Sequence, residues 1–175
     1  MNKKIILINI IIVSLVGTLS HFAYDKSMQN DFVGLFVPVN ESIWEHLKLL
    51  FFPTFILSII EFIICKDCRS GFFASRLLGV VAGMLLIVSA YYTITGVIGK
   101  NIDAVNITLF FISVITTFIL SYIIQKNGFI KHKYSNIIAF TVFVLISVIF
   151  GIFTNNPPGI GIFDDPEAIK NDTGI

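Results

Sequence analysis

The sequence has few charged residues, and this shortage decides its class. Asp, Glu, Lys and Arg make up 13% of the 175 residues, whereas a soluble domain carries about 25%. Hydrophobic residues make up 55%, and the mean hydropathy is +0.89. These values exclude an ordinary soluble domain and indicate an integral membrane protein.

Basic surface, cysteine and phosphate-binding motifs are also scarce. A net charge of +1 provides no concentrated basic patch, so we expect no nucleic-acid partner. Cys65 and Cys68, the two cysteines, are too few and too close in sequence for a disulfide framework. A zinc site at these two cysteines would need two more ligands. The cytoplasmic side of the membrane, where the topology predicted below places the cysteines, offers only His132. The sequence contains no glycine-rich phosphate loop and no nucleophile elbow.

Long apolar runs are abundant instead. A transmembrane helix needs about 20 apolar residues. Five runs approach this length and are predicted as spans: 5–22, 43–65, 73–98, 102–124 and 137–153. The predicted fold is therefore an all-α integral membrane helical bundle over residues 1–153, followed by an acidic tail over residues 154–175.

The positions of the basic residues predict the orientation. With the N-terminus inside, eight of the 12 Lys and Arg residues fall on the cytoplasmic side, as the positive-inside rule favours. We predict a multi-pass protein of the cell membrane, N-in and C-out, with an extracytoplasmic tail. The first span also resembles a signal peptide. Retention is favoured, because the apolar run continues through Phe22 and no A-x-A cleavage site is visible.

Charge, imidazole and indole crowd together only between Pro38 and Pro53, at the start of the second span. Asn40 is predicted to cap the helix, with Glu41 in its first turn, where the helix dipole favours a negative charge. Helical spacing places the polar side chains on one half of the helix. The other half, with Ile43, Trp44 and Leu47, is predicted to face lipid.

The predicted topology puts this motif on the same membrane face as His21 and the acidic tail. A catalytic zinc takes three protein ligands, commonly His and carboxylate, and leaves one position for water. We predict His21, His46 and Asp165 as metal ligands, with Glu45 as the alternative to Asp165. Glu41 and Glu45 are the predicted catalytic carboxylates, Glu41 as a general base or as the partner of a ligand. The first hypothesis is a zinc-dependent hydrolase of a lipid or cell-envelope substrate.

Two other interpretations of the motif stay open. Glu41 and Glu45 are neighbours on a helix and would provide an acid and a base without any metal. This arrangement suits a small permease, assembly factor or sensor that handles protons or a cation. In a purely structural interpretation, Glu41 caps the helix, Glu45 pairs with Lys48, and the aromatic residues anchor the membrane interface.

Two features inside the spans predict helix packing. Ser75, Gly79 and Gly83 form a small-residue stripe on the third span, which allows close approach of another helix and offers a contact for a homo-oligomer. Glu61 lies inside the second span, where an acid is unusual. It is predicted to reach the cytoplasmic interface or to pair with Arg76.

The motif residues resemble those of a known family. The residues that carry the resemblance are His21-Phe22, Tyr24, Pro38-Val39-Asn40-Glu41-Ser42, Trp44-Glu45-His46-Leu47-Lys48-Leu49, Phe52-Pro53, Pro157-Pro158, Phe163 and Asp165-Pro166. They resemble a family of small polytopic bacterial membrane proteins that is known only as a domain of unknown function. The resemblance covers the whole chain and implies that the segments bearing the predicted site residues belong to one site. It implies no activity.

Overall fold

The computed structural model describes residues 3–64, 71–130 and 132–166. All regular structure in these ranges is helical. The helices are α1 Lys3–Ser20, α2 Ala23–Lys26, α3 Asp31–Gly34, α4 Ile43–Ile64, α5 Phe72–Ile98, α6 Asp103–Asn127 and α7 Ser135–Asn155. Five of them, α1, α4, α5, α6 and α7, are long and apolar enough to cross a membrane. The predicted all-α fold with five helices of membrane-spanning length is confirmed.

Helix α4 lies at the centre of the bundle and contacts α1, α5, α6 and α7. Its aromatic residues interdigitate with those of α7: the Phe55 and Phe143 rings stack with centroids 4.7 Å apart. The predicted lipid-facing side of α4 is wrong, because Ile43 and Leu47 are only 7% and 5% exposed. A helix that is surrounded by other helices at this level has no face left for lipid.

Helices α5 and α6 form the most extensive helix pair, and the small-residue stripe explains why. A Cβ atom at Gly79 would overlap the Ser121 hydroxyl and the Thr117 carbonyl oxygen, and a Cβ at Gly83 would lie 2.9 Å from Leu50. Close approach of this kind is what small residues allow in membranes. The stripe therefore packs against α6 of the same chain, and a homo-oligomer stays a prediction.

We expect Gly79→Ala to lower the free energy of unfolding by about 1–3 kcal/mol, the usual cost of overpacking a close contact. The matched control is Gly96→Ala in the same helix, because a Cβ at Gly96 would meet nothing within 4 Å. Thermal unfolding of both variants in detergent measures the difference. Equal melting temperatures for the two variants would contradict the predicted close contact.

A buried polar cluster joins α1, α4 and α5. Glu61 forms an ion pair with Arg76, as predicted, and Asn9 Nδ2 donates a hydrogen bond to Glu61 Oε1 at 2.7 Å. The Arg76 guanidinium also lies 4.6 Å from the centroid of the Phe118 ring. Asn9 is only 2% exposed, so α1 contributes a polar contact to the bundle interior.

The segment between α1 and α4 folds back onto the bundle through the short helices α2 and α3. The side chain of Asn30 caps α3 by accepting hydrogen bonds from the N–H groups of Phe32 and Val33. The Lys48 ammonium of α4 then donates to the carbonyl oxygens of Gly34 at 2.7 Å and Val37 at 3.3 Å. The segment is thereby held over the start of α4.

Candidate metal centre

The start of α4 is fixed by a cap that differs from the predicted one. The helix begins at Ile43, and the Ser42 hydroxyl accepts a hydrogen bond from the N–H of Glu45 at 3.3 Å. This is the bond that an N-cap serine makes. The predicted cap, Asn40, instead accepts from the N–H of Ser42 at 3.0 Å. Glu41 consequently precedes the helix rather than lying in its first turn.

Glu45 and Lys48 form a buried ion pair with an N–O distance of 2.6 Å, as the structural interpretation predicts. Glu45 Oε2 also accepts from the Val39 N–H at 3.1 Å, and Oε1 accepts from the Thr154 hydroxyl at 2.9 Å. The residues Glu45 and Lys48 are 2% and 0% exposed. Both carboxylate oxygens of Glu45 are thus engaged in holding the Pro38–Ser42 turn and α7 against α4.

Trp44 attaches the tail to the same end of the bundle. Its backbone N–H donates to the Ile162 carbonyl oxygen at 3.0 Å. Its indole ring lies 4.7 Å from the Phe150 ring of α7 and 4.9 Å from the Phe163 ring of the tail, measured between centroids. These contacts bring the end of the described tail, at Pro166, beside the start of α4.

His21, Glu41 and His46 meet at this end, each from a different segment. His21 immediately follows α1, Glu41 immediately precedes the cap of α4, and His46 lies in the first turn of α4. The two Nε2 atoms are 3.2 Å apart. Glu41 Oε2 lies 3.3 Å from the His46 Nε2 and 3.7 Å from the His21 Nε2. All three side chains are partly exposed.

The second ring nitrogen of His46 fixes how this ring is presented. Its Nδ1 lies 2.9 Å from the Ser42 carbonyl oxygen. A carbonyl oxygen only accepts, so Nδ1 carries a proton and Nε2 is the ring nitrogen that faces Glu41 and His21. This Nε2 donates to Glu41 when it is protonated and would bind a metal ion when it is not. Metal-binding histidines are commonly oriented in this way by a backbone carbonyl.

The charge state of Glu41 also suits a cation. A hydrogen bond from His46 is the largest influence on the Glu41 carboxyl, and together with the nearby His21 it lowers the pKa of Glu41 from its usual value despite the opposing effect of burial. A carboxyl with a lowered pKa is ionised at neutral pH. The cluster therefore offers one carboxylate and two imidazoles.

The three separations match a tetrahedral zinc site. Ligand atoms at zinc–nitrogen and zinc–oxygen distances of about 2.0–2.2 Å in tetrahedral geometry lie about 3.3–3.5 Å from one another. The observed separations are 3.2, 3.3 and 3.7 Å. A point about 2 Å from all three atoms therefore exists without any movement of the side chains.

A cavity of about 110 Å³ adjoins the cluster. Glu41 and His46 line it on the α4 side, and Pro166 of the tail forms part of its rim. The other lining residues come from α4, α5, α6 and the loop before α6: Ile43, Leu49, Ile87, Tyr91, Asn101, Asp103, Asn106, Leu109 and Phe110. One wall is thus polar and another is apolar.

Comparison of the sequence with protein-family models identifies the family of this protein. The model of the family of unknown function DUF6512 matches residues 1–175. The chain belongs to this family. No curated protein and no solved structure matches this DUF6512 chain.

The structure brings some of the predicted site residues of this DUF6512 member together. His21 and His46 meet, and the carboxylate that joins them is Glu41. Glu45 is buried in its ion pair and is not among the cavity-lining residues. Asp165 is half-buried in the tail, next to Pro166 at the cavity rim, and is not a member of the three-residue cluster. Its role as a ligand stays a prediction.

No motif in the sequence of this DUF6512 chain points to three further residues that line the cavity: Tyr91, Asp103 and Asn106. The signal available was topological: the loop between the third and fourth spans is very short and falls at the same end as the motif. Residues that flank it are therefore close to the start of α4.

Proposed function

We propose that this membrane protein binds a divalent transition metal, with zinc preferred, through His21, Glu41 and His46. We further propose that it uses the metal to hydrolyse a lipid or cell-envelope substrate. The observation that carries the proposal is the triangle of two Nε2 atoms and one carboxylate oxygen, with sides of 3.2, 3.3 and 3.7 Å. These sides correspond to three corners of a tetrahedron around zinc.

The ligand set agrees with a catalytic rather than a structural metal. Structural zinc sites are closed by four protein ligands, whereas catalytic sites use three and keep the fourth position for water or substrate. Two histidines and one glutamate form the catalytic set of several zinc hydrolases. A zinc ion held by His21, Glu41 and His46 would lower the pKa of its bound water and polarise a substrate carbonyl or phosphoryl oxygen.

The surroundings of the site support a substrate at the membrane surface. The adjoining cavity has polar residues from the start of α6 and an apolar wall with Leu49, Ile87 and Phe110. In the predicted N-in orientation this end of the bundle faces the extracytoplasmic side, where lipid head groups and envelope components lie. The orientation comes from the positive-inside rule.

The alternative, a permease or sensor based on Glu41 and Glu45, receives less support. The Glu45 carboxylate accepts hydrogen bonds from Lys48, Val39 and Thr154. Three of the about four acceptor positions of this buried carboxylate are thus occupied, which leaves little room for an exchanging proton or cation.

Metal analysis of the purified protein tests the proposal. We expect about one zinc per chain for the wild-type protein and a loss of affinity of at least about 100-fold for His46→Gln, since removal of one of three ligands leaves two. His132→Gln is the matched control, because His132 is exposed and lies outside the cluster. Elemental analysis and calorimetric titration measure stoichiometry and affinity.

A second control detects zinc that is bound at a site other than His21, Glu41 and His46. Cys65 and Cys68 lie outside the described residues, and Cys65→Ser with Cys68→Ser removes the other set of soft ligands in the chain. Zinc that persists in His46→Gln and disappears in the double serine variant would overturn the proposed site. Absence of zinc from all forms would overturn the proposal altogether.

A further inference from the structure

We infer that the substrate of this site is an uncharged or cationic carboxylic ester or amide, and that Asp103 is its general base. The inference rests on the proposed metal-dependent hydrolase and narrows its substrate. It excludes phosphate esters and other anions at the reacting centre. The observation behind it is the chemistry of the residues that line the cavity together with Glu41 and His46.

The charged residues that line the cavity are acidic, apart from His46. Glu41 and Asp103 contribute carboxylates, and within residues 3–64, 71–130 and 132–166 no Lys or Arg lines the cavity. A bound zinc ion carries two positive charges, which these two carboxylates balance. The described lining then has no positive charge left for a dianionic phosphate, whose hydrolysis normally relies on Arg, Lys or several metal ions. A neutral or cationic group meets no such electrostatic penalty.

The uncharged polar residues of the cavity suit a carbonyl compound. Asn106 Nδ2 donates to Asn101 Oδ1 at 2.8 Å, which orients both amides and leaves the Asn101 Nδ2 and the Asn106 Oδ1 for a ligand. One donor and one acceptor side by side match an amide or a hydroxyl-bearing ester. Tyr91 lines the same cavity.

The size of the cavity limits which part of the substrate enters. A volume of about 110 Å³ is well below the about 300–1,000 Å³ of sites that enclose a drug-sized ligand. A short acyl group beside the apolar wall formed by Leu49, Ile87 and Phe110 fits this space. The remainder of a lipid or envelope molecule would stay outside, at the membrane surface.

Asp103 is an exposed carboxylate in the same cavity as two of the proposed metal ligands. It is the first residue of α6 and an exposed carboxylate, and it lines the cavity together with Glu41 and His46. The reaction consumes one water. The water oxygen bonds to the carbonyl carbon and passes a proton to Asp103, the bond to the leaving oxygen or nitrogen breaks, and Asp103 returns the proton to that atom.

Three esters with one leaving group test the substrate class on the zinc-loaded full-length protein in detergent. They are p-nitrophenyl acetate, p-nitrophenyl succinate and p-nitrophenyl phosphate, which present a neutral acyl group, an anionic acyl group and a phosphate. We expect kcat/KM for the acetate to exceed that for each anionic ester at least about 10-fold, and removal of zinc by a chelator to abolish turnover.

Variants of Asp103 test its role. Asp103→Asn is expected to lower kcat for the acetate ester by about 100-fold or more, with zinc content unchanged, and to reduce the discrimination against the succinate ester. Asp103→Glu is expected to restore part of kcat. The matched control is Asp25→Asn, an exposed acid that does not line the cavity.

The possible outcomes separate the two proposals. A wild-type protein that binds no zinc overturns the proposed function. A protein that binds zinc but hydrolyses the phosphate ester fastest, or none of the three esters, leaves the metal site standing and overturns the inferred substrate class. Zinc-dependent acetate turnover that is unchanged in Asp103→Asn overturns the role of Asp103.

Discussion

Lys48→Met is expected to lower the free energy of unfolding by about 3–5 kcal/mol, the usual cost of leaving a buried charge without its partner. Lys48 is 0% exposed, and its ammonium lies 2.6 Å from the Glu45 carboxylate. Methionine has a similar length but donates no hydrogen bond. The substitution therefore strands a carboxylate and also leaves the carbonyl oxygens of Gly34 and Val37 without the Lys48 donor.

Thermal unfolding in detergent, followed by limited proteolysis, measures both effects. We expect a lower melting temperature and faster cleavage between α2 and α4, because Lys48 holds this segment through two carbonyl oxygens. Lys100→Met is the matched control, since Lys100 is exposed. A melting temperature of Lys48→Met equal to that of Lys100→Met would contradict the buried pair.

A double variant separates the charge from the packing. Glu45→Leu with Lys48→Met removes both charges, and replacement of a buried ion pair by apolar residues is often nearly neutral. We expect the double variant to be more stable than Lys48→Met alone, so the two substitutions are not additive. An additive loss would show that the hydrogen bonds to Val39, Gly34 and Val37 matter more than the charge pair.

The architecture could be predicted because it depends on local composition. Each span is a run of apolar residues about as long as the bilayer is thick, and such a run has few alternatives in a membrane. The small-residue stripe at Gly79 and the Glu61–Arg76 pair were also predictable, because membrane helices tolerate few other arrangements of small and charged residues. Which helix would pack against the stripe required the tertiary structure.

The site could be predicted only in part, because its details depend on where α4 begins. Asn40 and Ser42 are both acceptable caps by residue type, and only the tertiary structure selects Ser42. With that choice Glu41 lies before the helix and turns toward His21, whereas Glu45 lies inside the helix and faces Lys48. Because α4 begins two residues later than predicted, Glu41 joins the cluster with the two histidines, and Glu45 forms the ion pair with Lys48.

The lipid-facing side of α4 was mispredicted for a related reason. Helical spacing tells which side chains share a face, but it does not tell how many neighbours the helix has. Trp44 shows this most clearly: the tail folds back over it, and its ring packs between Phe150 and Phe163. The return of the tail also brings Pro166 to the cavity, which no local pattern indicates.

Zinc is expected to raise the stability of the wild-type protein and to have almost no effect on His21→Gln. At a free zinc concentration of 100 times the Kd, a ligand that binds only the folded state adds about 2.7 kcal/mol to the free energy of unfolding. His21 follows α1, whereas Glu41 and His46 belong to the start of α4. Bound zinc would therefore link α1 to α4 and oppose their separation.

Trp44 is the single tryptophan of the chain and lies at the start of α4, so its fluorescence reports unfolding close to the site. Melting curves are recorded in the presence of zinc, of magnesium and of a chelator. The two proteins compared both carry Cys65→Ser and Cys68→Ser and differ only in His21→Gln. Magnesium prefers oxygen ligands and should shift neither protein. An equal zinc shift in both proteins would mean that His21 is not a ligand, and the link between α1 and α4 would then depend on packing and the Asn9–Glu61 hydrogen bond alone.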